Sequence, residues 1–154
     1  MNEFIDLDTI FIKLDVADKK NLLEKLGNTL RDRGYVNEEY TQAVILREEN
    51  FPTGLNVQGK VKVAIPHAES KFVNCPQIAF ASLKKPVYFN SMENSEEQVG
   101  VELVFMLAVK DPDKHVAVLQ KLMEMFGDEA LLNRLACCST QEEARAILNI
   151  KLTN

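Results

Sequence analysis

The chain has 154 residues, of which 46% are hydrophobic and 27% charged, a composition typical of one globular domain with a proper hydrophobic core. The formal net charge is −5, with both signs interspersed, which argues against a nucleic-acid surface because such a surface needs a basic patch. No apolar run approaches the roughly 20 residues of a membrane helix, and residues 1–6 lack the basic-then-apolar pattern of a secretory signal. We therefore expect residues 1–154 to form a single domain that does not insert into a membrane.

The three cysteines are Cys75, Cys137 and Cys138, an odd number with two of them adjacent. This arrangement predicts neither a disulfide framework nor a structural zinc site. A reducing compartment suits unpaired thiols, so we expect the protein to be cytoplasmic.

The first third of the chain predicts a short strand and two helices. Alternating apolar residues predict a strand at 9–14. Asp18 can cap a helix whose leucines recur on one face, and Gly34 lies just past its end. A second helix, with an asparagine as its N-cap, is predicted over 37–47 and is broken by Phe51-Pro52-Thr53-Gly54.

Strands are predicted to dominate the middle of the chain. Apolar residues alternate over 61–65, and 77–83 and 87–89 are further strand candidates. The run 101–109 is apolar apart from Glu102. Such a run predicts a strand covered on both faces, as at the centre of an α/β sheet.

Three helices are predicted to close the chain. Asp111 is the candidate N-cap of the first, which has a proline at its first position and Gly127 after its end. Residues 128–136 predict a short helix, and Ser139-Thr140-Gln141-Glu142 has the spacing of a capping box that opens a helix to about residue 150. Helices before and after a block of strands predict an α/β fold, a three-layer α/β/α sandwich. Its sheet should be mixed, because strands with short connections pair antiparallel.

The segment Val63-Ala64-Ile65-Pro66-His67 is the most informative part of the sequence. Proline has no N–H to continue a sheet ladder, so the predicted strand stops at Ile65 or Pro66 and presents His67 at its end. Ligands of open α/β sheets bind at such strand ends. Since imidazole is a nucleophile and a proton carrier near neutral pH, His67 is the candidate reactive centre.

His115 and Arg47 are the candidate partners of His67. His115 is predicted in the first turn of the helix that directly follows the 101–109 strand, so the two imidazoles can share a pocket if both strands end at one edge. The N–H groups of a helix N-terminus favour an anion such as phosphate. The Arg47 guanidinium can bind a phosphate through two parallel hydrogen bonds. Together these residues suit phosphoryl transfer through a phosphohistidine.

Each of these residues also has a simpler interpretation. His67 can be a turn residue with a satisfied hydrogen bond, and His115 can be a polar residue on a solvated helix face. Arg47 can be a surface cation that is favourable at a helix C-terminus. Glu48 and Glu49, beside Arg47, are expected to face solvent.

A metallohydrolase is a further alternative, because two histidines and a carboxylate such as Glu69 can hold zinc. The sequence lacks His-x-x-x-His and His-x-Asp spacings. We therefore expect no metal site and no cofactor.

Six motifs also follow one another in a recognisable order. They are Arg47-Glu48, Phe51-Pro52-Thr53-Gly54-Leu55, Ala64-Ile65-Pro66-His67, Pro86-Val87-Tyr88-Phe89, Val101-Glu102-Leu103-Val104-Phe105, and His115 with Leu119. Over about residues 18–148, the chain resembles the IIA components of the fructose/mannitol branch of the sugar phosphotransferase system. The fold of that family, a mixed sheet between helices, agrees with the elements predicted above.

The resemblance implies a set of roles and partners. His67 would take a phosphoryl group from the phosphocarrier protein HPr at its Nε2 atom, and His115 and Arg47 would assist without being phosphorylated. The group would then pass to a cysteine of a IIB component and on to a sugar that enters through a membrane IIC component.

Within that branch the chain is most similar to galactitol-type IIA proteins. The basis is Phe51-Pro52-Thr53-Gly54-Leu55, a longer segment before the Ile-Pro-His motif, and Glu69. Ala68 is a departure, because many fructose/mannitol members have glycine after the active histidine. Its Cβ would alter how closely a partner's backbone approaches His67.

Related IIA-like proteins act as regulators that transport no sugar. The alternative function is therefore a regulatory protein whose phosphorylation state controls a binding partner. In phosphotransfer two proteins must reach His67 in turn, so we expect a shallow, largely apolar surface around it, with Phe51, Leu55 and Phe72 nearby.

Overall fold

A mixed sheet is the centre of the computed structural model, which describes residues 5–153 without the side chains of residues 112, 114, 115 and 153. Within those residues five strands form the sheet: β1 (Ile10–Leu14), β2 (Gly54–Leu55), β3 (Lys62–Ala64), β4 (Gln77–Asn90) and β5 (Gln98–Ala108). Their order across the sheet is β1-β4-β5-β3-β2. The β1/β4 and β3/β5 pairs are parallel, whereas β4/β5 and β2/β3 are antiparallel. The predicted mixed sheet is confirmed.

Helices cover both faces of the sheet. In the described part of the chain they are α1 (Lys19–Asp32), α2 (Tyr40–Asn50), α3 (Pro112–Phe126), α4 (Glu129–Cys137) and α5 (Gln141–Thr153). Short 3-10 turns occupy Leu7–Thr9 and Ser70–Phe72. No described helix combines the length and the apolar character that crossing a membrane requires.

Successive residues of β5 point to opposite faces of the sheet, as the twofold repeat of a strand requires. Leu103, Phe105 and Leu107 belong to an apolar core that includes α3, α4 and α5. Val104 and Met106 belong to a second core with α1 and α2. Burial on both faces explains the uninterrupted apolar run of β5 and confirms the three-layer α/β/α sandwich.

The predicted helix ends are confirmed where a side chain or a glycine defines them. The Asp18 carboxylate accepts a hydrogen bond from the Asn21 N–H (2.9 Å) at the start of α1. Gly34 follows the end of α1 with a φ of +83°, a conformation that glycine adopts without steric cost. The Asp111 carboxylate accepts from the Asp113 N–H (3.0 Å) at the start of α3.

The two strand candidates at 77–83 and 87–89 form one strand, β4, instead of two. Its register against β5 shifts between Ser82 and Val87, and Pro86 lies in that shift. Strand β1 pairs with β4 only as far as Leu83. Because β4 has no β1 neighbour beyond that point, the missing N–H of Pro86 breaks no hydrogen bond on that side.

Two helices run past their predicted ends, and two predicted N-caps are displaced. Glu39, and not Asn37, is the N-cap of α2, and the cap of α5 is displaced by one residue. Helix α2 continues to Asn50, and α5 continues beyond residue 150 to Thr153. The capping box is formed by Thr140, whose hydroxyl accepts from the Glu143 N–H (3.1 Å), while the Glu143 carboxylate accepts from the Ser139 N–H (3.1 Å). The predicted capping box, between Ser139 and Glu142, was therefore wrong by one residue.

Candidate functional site

His67 lies just beyond β3, at the edge of the sheet where β3 and its parallel neighbour β5 both end. The Leu107 N–H of β5 donates to the Pro66 carbonyl (3.0 Å), and His67 itself forms an isolated parallel bridge with Leu107. The backbone at Pro66 and His67 is thereby tied to the central strand. This edge is the carboxyl end of a parallel pair, where ligands of α/β sheets bind.

The imidazole of His67 is half-buried, and one of its nitrogens contacts the backbone. Nδ1 lies 2.8 Å from the carbonyl oxygen of Ile65. A carbonyl oxygen can only accept a hydrogen bond, so Nδ1 carries the proton of the neutral ring. The lone pair of that ring is then on Nε2, the nitrogen that a nucleophilic imidazole uses in this tautomer.

Arg47 and His67 line the same cavity, which has a volume of about 320 Å3. Ala68, Glu69, Val109 and Val116 are among the other lining residues. Arg47 reaches the cavity from the last turns of α2, and its Nε atom is buried without a hydrogen-bond partner among the described groups. A cationic side chain thus lines the same cavity as the imidazole, and it comes from a different element than His67.

His115 lies in the first turn of α3, which follows β5 at the same edge of the sheet as His67. Both histidines follow strands, as the sequence predicts, and the parallel pairing of β3 with β5 meets the condition that these strands end at one edge. The His115 side chain lies outside the described residues.

The three apolar residues expected near His67 separate into two groups. Phe51 and Phe72 line a groove of about 270 Å3 that also includes Arg47 and Ala68, and Phe51 is 63% exposed. Leu55 instead packs in the core with α3, α4 and α5 and lines a different cavity. The expectation for Leu55 is wrong, because strand pairing in β2 turns its side chain toward the other layer of helices.

Glu48 was expected to face solvent and is instead buried, with 2% of its surface exposed. Its carboxylate accepts two hydrogen bonds from Thr53, one from the N–H (2.6 Å) and one from the hydroxyl (2.8 Å). Burial raises the pKa of the Glu48 carboxyl, although the two hydrogen bonds oppose this shift. Tyr40 and Val44 precede Glu48 at intervals of four residues on the same buried stripe of α2, and this spacing was the signal in the sequence.

Among the side chains that the structure describes, no group of three His, Cys, Asp or Glu residues is placed to hold a metal ion. The described side chains do not include that of His115. The cavity of His67 therefore combines the imidazole, the Arg47 guanidinium and apolar walls with two further polar residues, Glu69 and Ser70.

Comparison with known proteins adds the following matches. The profile of the family described as "Phosphoenolpyruvate-dependent sugar phosphotransferase system, EIIA 2" matches residues 3–151. The chain is 33% identical over 105 residues to "Transcriptional regulator ManR" of Bacillus subtilis (strain 168). The aligned region is 68% of this chain and only 14% of that regulator. It is 28% identical over 118 residues to "PTS system galactitol-specific EIIA component" of Escherichia coli (strain K12), covering 75% of this chain and 77% of the relative. A chain in the complex of enzyme IIAMTL and phosphorylated enzyme IIBMTL from Escherichia coli matches the fold with a TM-score of 0.74 and 26% identity, covering 94% of this chain and 97% of that one.

Proposed function

The chain belongs to the EIIA 2 family of the phosphoenolpyruvate-dependent sugar phosphotransferase system, and on that premise we propose that its phosphotransfer proceeds through a phosphohistidine at His67. The phosphoryl group is accepted from phosphorylated HPr and passed to a IIB component. His67 is the nucleophile, Arg47 stabilises the transferred group, and His115 assists.

The contact between Nδ1 of His67 and the Ile65 carbonyl (2.8 Å) is the single observation that supports this proposal most directly. A nucleophilic imidazole must present an unprotonated nitrogen to phosphorus, and its ring must be oriented by a contact at the other nitrogen. The Ile65 carbonyl meets both requirements, because it holds the proton on Nδ1 and fixes the plane of the ring.

The transfer step requires no co-reactant other than the two proteins. The Nε2 lone pair of His67 attacks phosphorus, the P–Nε2 bond forms, and the bond between phosphorus and its donor atom in HPr breaks with its electron pair returning to that atom. In the second step a IIB cysteine thiolate attacks, so a P–S bond forms and the P–Nε2 bond breaks.

Arg47 supplies positive charge where the three equatorial oxygens of the transferred group carry negative charge. Its guanidinium lines the cavity of His67, and its buried Nε has no hydrogen-bond partner among the described groups. An oxygen of the phosphoryl group would provide such a partner. The assisting role of His115 rests on the family resemblance and on its place at the start of α3.

We further propose that the protein acts in the cytoplasm, in the transport of galactitol or another polyol. This assignment rests on the 28% identity to a galactitol-specific EIIA component, over 77% of that relative. The sugar itself would enter through the membrane IIC component and would receive the phosphoryl group from IIB. The partner role of IIB is supported by the fold match to a IIA protein in complex with phosphorylated IIB.

Labelling from phosphoenolpyruvate, enzyme I and HPr tests the proposal. The wild-type chain should take up the label, His67→Ala should take up none, and His115→Ala should remain labelled but discharge slowly to IIB. Circular dichroism of each variant controls for loss of fold. Undiminished labelling of His67→Ala would overturn the assignment.

Addition of the IIB component separates transport from regulation. Rapid discharge of the phosphorylated protein supports transport, whereas a phosphorylated form that persists supports the regulatory alternative. The 33% identity to a transcriptional regulator is the similarity that favours this alternative. Reading frames for IIB and IIC next to this gene would support transport independently.

A further inference from the structure

Glu48 is a buried acidic residue that the phosphoryl-transfer step does not use. It immediately follows Arg47, yet the two side chains lie in different places, since Arg47 lines the cavity of His67 and Glu48 lies among buried residues. Both oxygens of the Glu48 carboxylate are occupied by donors of Thr53. The carboxylate therefore joins the last turn of α2 to the segment that enters β2.

Thr53 is fixed to the sheet through the residue that follows it. The Gly54 carbonyl accepts from the Met92 N–H (2.8 Å). A Cβ at Gly54 would lie only 2.7 Å from the Asn90 carbonyl oxygen, so the backbone packs against the end of β4 without room for a side chain. The partner of Glu48 is thus held by the sheet, and the Glu48–Thr53 link ties α2 to it.

Arg47 and Phe51 lie within or next to the loop that this link closes. The Phe51 N–H donates to the Arg47 carbonyl (2.6 Å), and the Phe51 ring centroid lies 5.3 Å from Cζ of Arg47. This distance is within the range of a cation–π contact. Neither salt bridge among the described residues involves Arg47. Because residues 48–53 place the Phe51 ring against Arg47, the course of this loop bears on where the guanidinium lies.

We propose that Glu48 is a positioning residue for phosphoryl transfer, whose link to Thr53 closes the 48–53 loop and holds the Arg47 guanidinium beside His67. The inference rests on the proposed function, because it requires a phosphoryl group at His67. Glu48 itself touches neither the imidazole nor the transferred group.

A double-mutant cycle between Glu48 and Arg47 tests this role. The phosphoryl donor is phosphoramidate, from which ammonia leaves as the P–Nε2 bond forms, so the rate reports on the site without docking of HPr. Glu48→Ala should lower the rate at saturating donor about 10- to 100-fold, since small misplacements of a positioned group cost that much. In an Arg47→Ala background the same change should alter the rate less than about twofold, because the group that Glu48 positions is already absent.

Rescue by a conservative variant separates positioning from simple loss of fold. Glu48→Gln can accept from the Thr53 N–H and donate to the Thr53 hydroxyl, so its rate should stay within about threefold of wild type. Thr53→Val removes the hydroxyl and keeps the N–H, and it should give a loss smaller than that of Glu48→Ala. It also serves as the second variant if Glu48→Ala does not fold.

Glu49→Ala is the matched control, because Glu49 is the exposed neighbour of Glu48 on α2, and its rate should equal that of wild type. Equal losses from Glu48→Ala with and without Arg47 would overturn the positioning role, as would a folded Glu48→Ala protein that reacts at the wild-type rate. Labelling of His67→Ala as fast as wild type would instead overturn the proposed function. The two failures are therefore distinguishable.

Discussion

At the scale of single residues, the carbonyl of Ile65 determines which nitrogen of the His67 ring carries the proton. The contact is local, because the two residues are separated only by Pro66, and the proline restricts the backbone between them. In the proposed mechanism, a single backbone group thus prepares the imidazole of His67 for attack through Nε2.

The buried carboxyl of Glu48 leads to a prediction about stability and pH. Burial raises its pKa in the folded protein, and Lys19 of α1 and the adjacent Arg47 counteract part of that rise. The folded protein therefore holds this proton more tightly than the unfolded chain does. The resulting stability is fully present below the ordinary glutamate pKa and is lost as the pH rises through the raised value.

Glu48→Gln cannot lose a proton, so its stability relative to wild type should increase as the pH rises above the ordinary glutamate pKa of about 4. Urea unfolding of both proteins at several pH values measures this difference. Glu49→Gln, at the exposed neighbouring position, is the control. A difference between wild type and Glu48→Gln that stays constant, or falls as the pH rises, would contradict the prediction.

Individual residues also show where sequence reasoning succeeds and where it stops. The position of His67 could be predicted because proline ends a strand for a local reason, the absence of an N–H. The burial of Glu48 was missed because Arg47-Glu48-Glu49 resembles a solvated charged surface. The fourfold spacing from Tyr40 and Val44 carried the opposite signal, but burial of a carboxylate depends on the Thr53 donors, which only the folded chain brings together.

At the scale of elements, Tyr40 anchors α2 to the strand that lies beside His67. Its hydroxyl donates to the Leu107 carbonyl (2.6 Å), and the Leu107 N–H donates to the Pro66 carbonyl. Tyr40 and Arg47 are seven residues apart on α2, about two helical turns. Burial raises the pKa of the Tyr40 phenol well above its usual range, so the hydroxyl remains a donor.

Tyr40→Phe removes this donor and should lower the free energy of unfolding by roughly 1–3 kcal/mol, the usual cost of leaving a buried polar group without its partner. Chemical denaturation measures the loss. Tyr88→Phe is the matched control, because Tyr88 is 61% exposed, and its effect should be within about 0.5 kcal/mol. Equal effects of the two substitutions would show that the Tyr40 hydroxyl does not anchor α2.

Elements whose ends depend on local chemistry were predicted well, and those that depend on neighbours were not. Asp18, Gly34 and Asp111 define helix ends through their own side chain or backbone, and all three are where the sequence placed them. Strand β4 continues through Pro86 because β1 has already ended, which is a property of the sheet and not of the proline. The sequence alone does not reveal where a neighbouring strand stops.

At the scale of the whole molecule, the parallel pairing of β3 with β5 brings the candidate site together. His67 follows β3, and α3 with His115 follows β5, so one edge of the sheet carries both. Arg47 lines the cavity of His67 from the helix layer on one face of the sheet, while Val116 lines it from α3. The sequence predicted each of these elements. Strand order depends on contacts between distant parts of the chain, so the sequence could state only that the two histidines share a pocket if both strands end at one edge.

The surface around the site suits a partner protein more than a small sugar. The cavity of His67 continues toward the groove that contains Arg47 and Ala68, and the exposed ring of Phe51 lies beside it. A phosphoryl group passed between proteins needs this kind of accessible, partly apolar rim. Specificity for a polyol would then belong to the membrane component.

The most direct test of the central claim is to identify the atom that carries phosphorus after reaction with phosphorylated HPr. Uniformly 15N-labelled protein can be phosphorylated and its nitrogen–phosphorus coupling measured by NMR, with His67→Ala as the reference spectrum. We predict a single phosphorylated nitrogen, Nε2 of His67, with the Nδ1 proton retained toward Ile65. Phosphorus on Nδ1 of His67, or on His115, would contradict the account.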